Sequence, residues 1–178
     1  MKTVHSILSE LQFCIQQINK QEYESIVQLL RKDVTFHFFG EGRSGLVAKM
    51  IAMRCMHSGK KVYVIGETIS PAIRENDVCI LISGSAKTNA IRHIRKLAEN
   101  IGATTFLVTA NKEALTGDSL LSGLWINAAT KHTLQSDMKT IQPLGNQFDQ
   151  MAHIILDAAI IDSTNDITTM IENHTNME

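Results

Sequence analysis

The sequence has almost no net charge. Its 17 lysines and arginines stand against 18 acidic residues, leaving −1 at pH 7. Such a chain presents no general polyanion surface, which argues against nucleic acid as a partner and makes any anion site local. Cysteine is scarce too, with three residues at Cys14, Cys55 and Cys79. They are odd in number, form no C-x-x-C and lie in apolar-periodic segments. They read as buried free thiols, in keeping with a reducing cytoplasm. No apolar run is long enough to span a bilayer. Met1 to Phe13 carries Glu10 and Gln12 and lacks the apolar centre of a signal peptide, so a cytoplasmic protein is expected. The seven histidines show no metal-ligand spacing. Asp149, His153 and Asp157 share a helical face, but no second ligand cluster supports them and no metal is expected. The G-x-x-x-x-G-K-[ST] loop of triphosphate-binding proteins is also missing.

What is present is a hydroxyl-rich turn. The apolar run Val78 to Ile82 stops at Ser83, Gly84 follows, and Ser85 and Thr88 stand three apart. A helical pattern then runs through Ile91, Ile94, Leu97 and Ile101. Strand, turn and helix start together place unpaired helical N–H groups and hydroxyl donors around one point. A single phosphomonoester fits that arrangement. Helix capping by Ser85 explains the same residues without a ligand.

The rest of the chain is legible from its periodicities. With 44% hydrophobic and 20% charged residues, 178 residues suit one domain, here 1–178. A helical lead-in occupies 1–31, with helices at 3–18 and Tyr23 to Leu30. An α/β core follows over 34–161. Its strands are predicted at Val34 to Phe39, Lys61 to Ile65, Val78 to Ser83, Ala103 to Thr109 and Leu124 to Ala128. Helices are predicted at Ser44 to His57, Asn89 to Asn100, and from Gly145 or Asn146 through Ile161. A C-terminal helix or tail fills 164–178. Met50, Met53 and Met56 form a stripe suited to the core or to a subunit contact. Residues 130–142 are polar and irregular, the character of an active-site loop. Alternating helices and near-continuous apolar strands predict a three-layer αβα sandwich around a five-stranded parallel, Rossmann-like sheet. Ligands of such sheets sit beyond the carboxyl ends of the strands.

Gly40-Glu41-Gly42-Arg43-Ser44-Gly45 matches the dinucleotide fingerprint G-x-G-x-x-G, and Glu67 ends the next strand where a ribose-binding acid belongs. Three features oppose that reading. Two helices precede the first strand, the chain is short for a dehydrogenase, and a second hydroxyl-rich loop follows the third strand. Two such loops at adjacent strand ends can share one phosphate-bearing ligand, and no cofactor is expected.

The stretches G-E-G-R-S-G-L-V-A-K at 40–49, V-Y-V-I-G-E-T-I-S-P-A at 62–72 and I-S-G-S-A-K-T at 82–88 resemble the sugar isomerase (SIS) domain family. The match continues through I-Q-P-L-G-N-Q-F at 141–148 and N-H-T-N-M-E at 173–178, most narrowly with the 6-phospho-3-hexuloisomerase branch. The resemblance implies the SIS fold and a cofactor-free conversion of 3-hexulose 6-phosphate to fructose 6-phosphate in the ribulose monophosphate pathway. It implies a homotetramer with sites near subunit contacts, and 3-hexulose-6-phosphate synthase as the source of substrate. Other sugar phosphates, or a non-catalytic phosphosugar sensor, are the alternatives. The chain departs from the family in Asp149, where Glu is usual, and in Ala86-Lys87, where Gly more often leads.

Moving a carbonyl between adjacent carbons needs a base for the α-proton and an acid or shuttle for the two oxygens. Through the resemblance, Asp149 is the first candidate for the base and His174 for the acid or shuttle, in its own or a neighbouring site. Glu67 would bind hydroxyls or act as the base itself. Arg43 would hold the phosphate or neutralise the enediolate. Ser44, Ser83, Ser85 and Thr88 are assigned to the phosphate.

Overall fold

The computed structural model describes residues 1–116, 122–131, 140–164 and 167–177. Helix α1 spans Lys2–Ile15 and α2 spans Lys20–Arg31. Between them the Asn19 side chain accepts from the backbone amides of Gln21 and Glu22 at 2.8 and 3.2 Å. Such a cap satisfies amides that the helix cannot pair. It opens α2 at Lys20, three residues before the expected Tyr23. Helix α1 correspondingly ends at Ile15 rather than at residue 18. Ile18 packs on the core from the connecting turn.

The α/β core runs β1 (Thr35–Gly40), α3 (Gly42–His57), β2 (Lys61–Val64), β3 (Val78–Ile82), α4 (Asn89–Ile101), β4 (Thr104–Thr109), β5 (Ser122–Trp125) and α5 (Asn146–Ser163), with α6 (Ile167–Glu172) closing the chain. The five strands form one parallel sheet in the order β2-β1-β3-β4-β5. The expected parallel sheet is therefore present. Its fifth strand starts two residues and ends three residues earlier than the apolar pattern suggested, because Ile126 and Ala128 are buried beyond the strand.

Alternation along the strands assigns the two faces. Phe36, Phe38, Ile80, Ile82, Phe106 and Val108 point to the side of α2, α3 and α5 and form the main core. Leu81 and Leu107 face Ile91 of α4 on the other side. Helix α4 stops at Gly102, whose φ of 85° suits the left-handed cap that glycine adopts without strain. Helix α5 buries Phe148, Met151, Ala152, Ile155, Leu156, Ala159 and Ile160. That three-and-four spacing is one apolar stripe against the core.

Cys14, Cys55 and Cys79 are free and buried, as their settings predicted. Burial pushes the Cys55 and Cys79 thiols up to about 12 and Cys14 to about 11. The methionine stripe is not core in this chain. Met50, Met53 and Met56 are 41%, 51% and 43% exposed on α3. Among the described residues no helix is long and apolar enough to cross a membrane.

The glycine motif has a packing reason that needs no dinucleotide. A Cβ on Gly45 would lie 2.7 Å from the Gly40 carbonyl oxygen, and one on Gly40 would lie 2.6 Å from the Ser44 carbonyl oxygen. The end of β1 and the first turn of α3 touch backbone to backbone. Gly45→Ala is therefore expected to destabilise the fold by about 1–3 kcal/mol, the usual range for overpacking. Thermal unfolding measures this as a drop of several degrees.

Candidate active site

Strands β1 and β3 lie side by side, with Gly40 and Ile82 paired at their carboxyl ends. From β1 the chain leads through α3 to β2. From β3 it leads through α4, on the opposite face, to β4. The strand order reverses between them, so a crevice opens there. It holds a cavity of about 400 Å³, lined by the β1–α3 turn, the β3–α4 turn, the segment after β5 and the start of α5.

Asp149 sits in the first turn of α5 and is 13% exposed. One oxygen accepts from Arg43 Nε at 3.0 Å and the other from Ser44 Oγ at 3.0 Å. Arg43 also donates from Nη2 to the Leu144 carbonyl. Leu144 holds a φ of 59°, a conformation that side chains rarely adopt. A carboxylate accepts at four positions, so these two hydrogen bonds fix Asp149 and leave lone pairs for a proton.

Opposite stands the hydroxyl turn. Ser83 Oγ accepts from Ala86 N at 3.1 Å, and Ser85 Oγ accepts from Lys87 N at 3.3 Å. Ala86 has a φ of 55°, a left-handed conformation that glycine adopts without strain. The Ser85 carbonyl accepts from Asn111 Nδ2 at 3.0 Å, and the Gly84 carbonyl accepts from Ala110 N and Thr109 Oγ1. The turn is thus bolted to the end of β4. Thr88 is the N-cap residue of α4, and its side chain makes no capping bond. Its Oγ1 is buried on the cavity wall without a hydrogen-bond partner.

Of the residues singled out in the sequence, Arg43, Ser44, Ser83, Ser85, Thr88 and Asp149 line this one cavity. Arg43 and Ser44 contact Asp149 there. Glu67 lies elsewhere, 46% exposed and 2.6 Å from Lys49 Nζ. His174 also lies apart. Its ring packs against that of His57 at a centroid distance of 5.1 Å. Both line a second cavity of about 800 Å³ between α3 and α6. Other lining residues were not singled out as site residues, among them Glu41, Thr130, Lys131 and Leu144. Glu41 was in view inside the glycine motif. Thr130 and Lys131 follow the fifth strand, where ligands of parallel sheets gather. Residues 132–139 of the expected loop lie outside the described residues. Asp157, from the metal triplet, pairs with Arg54 at 2.8 Å. Among the described residues no group of three or more such side chains could hold a metal ion.

His57 is buried, and burial, His174 and Arg54 together hold its imidazole below the ordinary value. Below about pH 6.5 the unfolded chain then binds a proton that the folded chain resists. Stability is expected to fall as pH drops through that region. His57→Gln is expected to flatten this slope in a pH series of denaturant titrations.

The fold and site define an α/β protein with a crevice at its switch point, a clamped carboxylate on one wall and the start of α4, with the unpartnered Thr88 hydroxyl, on the other. The chain belongs to the SIS domain family, whose model matches residues 29–154. It is 31% identical to the 3-hexulose-6-phosphate isomerase of Bacillus subtilis (strain 168), with 100% of both chains covered. A crystal structure of a hypothetical protein superposes with a TM-score of 0.82 at 27% identity, covering 99% of this chain and 98% of the other. A second, from Methanococcus jannaschii, superposes with a TM-score of 0.81 at 25% identity over 100% of both chains. That structure infers a function of 3-hexulose-6-phosphate isomerase for its own protein.

Proposed function

We propose that the chain is a phosphosugar isomerase that converts 3-hexulose 6-phosphate to fructose 6-phosphate without a cofactor. The observation that carries this reading is the buried, unpartnered Thr88 hydroxyl at the start of α4, in one cavity with Asp149. Buried polar groups are nearly always paired, so an orphan at a helix start marks a place for an anion. A phosphate there is bound by Ser85, Thr88 and the first amides of α4, with Ser83 shaping the turn. The sugar then extends toward Asp149.

The chemistry is a proton transfer between neighbouring carbons. Asp149 takes the proton from C2, which is acidic because it neighbours the C3 carbonyl. The electron pair forms a C2–C3 double bond and the C3 oxygen becomes an enediolate. A proton passes from the C2 oxygen to the C3 oxygen, and Asp149 returns its proton to C3. Arg43 keeps Asp149 aimed, and the cations Arg43 and Lys131 on the cavity wall stabilise the enediolate charge.

His174 and Glu67 stand outside the cavity of their own chain, so their proposed roles as shuttle and hydroxyl ligand are played in a neighbouring subunit's site. The proposed assembly is a homotetramer. Leu46, Met50 and Met53 on α3, with Leu46 61% exposed, supply an apolar face for a subunit contact. The pathway role is formaldehyde fixation, with 3-hexulose-6-phosphate synthase as supplier in the cytoplasm.

A coupled assay tests the reading: the synthase supplies 3-hexulose 6-phosphate and fructose 6-phosphate is detected. Turnover supports it. Binding without turnover points to a sensor, and turnover of another sugar phosphate alone to a different isomerase. In calorimetry, NAD and NADP are expected to give no heat. Micromolar binding would restore the dinucleotide reading of residues 40–45.

A further inference from the structure

Helix α1 precedes the residues that match the family, yet it holds the loops that build the cavity. Glu10 and Cys14, one turn apart on α1, and Gln17, in the turn that follows it, face those loops. Glu10 accepts from Thr140 Oγ1 at 2.6 Å, from Ile141 N at 2.8 Å and from Gln142 Nε2 at 3.2 Å. Cys14 Sγ donates to the Asn127 carbonyl at 3.1 Å, and Gln17 Oε1 accepts from Asn127 Nδ2. From the other side Gln147 Oε1 accepts from Ala129 N at 2.7 Å. The two strapped segments meet at Gly145, where an added Cβ would lie 3.2 Å from Lys131 N and 3.3 Å from Thr130 Cα.

The Glu10 contacts form one end of a continuous chain. Thr140 Oγ1 accepts from Gln142 N at 3.0 Å, and Gln142 Oε1 accepts from Asn146 Nδ2 at 2.9 Å. Gln142 is itself buried. Two residues on, the Leu144 carbonyl takes Nη2 of Arg43, the residue that clamps Asp149. We propose that Glu10 is a positioning residue: it latches residues 140–142 to α1 and so sets the Leu144 carbonyl that aims Arg43 at Asp149. Burial favours the neutral carboxyl of Glu10, but the three hydrogen bonds together outweigh it and hold the group below its ordinary value. The latch is therefore charged at neutral pH, with three donors converging on two oxygens.

The proposal rests on the catalytic reading of Asp149, and its test has an arm that does not. In the kinetic arm Glu10→Ala is expected to lower kcat by about 10-fold, below the roughly 10²-fold that a 1 Å misplacement can cause. Thr140→Val, at the other end of the latch, is expected to act in the same direction. Arg43→Lys breaks the link to Leu144. In that background Glu10→Ala should change kcat by less than about 2-fold. Leu30→Ala in α2, remote from the latch, is the control, expected to lower Tm with kcat unchanged where the protein is folded. A loss of kcat that persists in full beside Arg43→Lys, or no loss at all, overturns the proposal. The second arm is hydrogen exchange, read whether or not any sugar phosphate is turned over. Glu10→Ala is expected to speed exchange in residues 140–149 and in 42–46. Faster exchange confined to α1 overturns the latch, whereas wild-type inactivity with the expected exchange pattern overturns only the proposed reaction.

Discussion

Asp149→Asn is expected to lower kcat by about 10²–10⁴-fold with little change in KM. The amide keeps the size of the side chain and removes its basic oxygen. Its carbonyl can still accept from Ser44, but its NH₂ then faces the Nε–H of Arg43, donor against donor. The variant loses both the proposed base and the clamp, while the proposed phosphate contacts across the cavity remain. Asp149→Glu separates these effects. Both aspartate oxygens sit 3.0 Å from their donors, so the wall is fitted to the shorter carboxylate. An added methylene displaces the oxygens, and a loss of about 10-fold or more in kcat is expected. The assay is the coupled conversion, with thermal unfolding run beside it to show that both variants fold. If Asp149→Asn turns over at the wild-type rate, the assignment fails. Glu41, the other carboxylate on the cavity wall, is then the residue to change.

The sequence was most legible where one local pattern carried the signal. Val78 to Ile82 is a buried strand because every residue is apolar, and Ser83 to Thr88 breaks it with a glycine and hydroxyls. The α2 start was also written locally, as Asn19 three residues before Glu22, but the apolar pattern drew the boundary to Tyr23. Glu22 itself does not complete a capping box, since its Oε2 accepts from Trp125 N at 2.7 Å. What was not legible depends on contacts far apart in sequence. Arg43 reads as a free cation at a helix start, and only the fold shows it held by Asp149, 106 residues on. Glu10 reads as an exposed helix residue, and nothing local announces that residues 140–142 converge on it. The methionine stripe on α3 carries a helical period but not its direction. Periodicity marks an apolar face without saying whether the same chain or another covers it.

Ser85→Ala and Thr88→Val are each expected to raise KM by about 10-fold or more, because each removes a hydrogen bond to a charged group worth roughly 1.5–3 kcal/mol. The two should differ in the absence of ligand. Ser85 Oγ already accepts from Lys87 N, so its loss leaves that amide unpaired and the free protein slightly less stable. The Thr88 hydroxyl is buried without a partner, and valine replaces it with a methyl of similar shape. Removing an unsatisfied buried group relieves its desolvation penalty, so Thr88→Val should raise Tm without phosphate while weakening binding. Inorganic phosphate is expected to compete with substrate and to raise Tm of the wild type with its concentration. A tenfold rise in the dissociation constant removes up to about 1.4 kcal/mol of that stabilisation at a fixed saturating concentration. The opposite signs, more stable when empty and less stabilised when occupied, distinguish a ligand-facing hydroxyl from a merely structural one. If both substitutions leave KM, phosphate inhibition and the phosphate-dependent Tm shift unchanged, the anion does not sit at the start of α4, and the orientation of the sugar toward Asp149 falls with it.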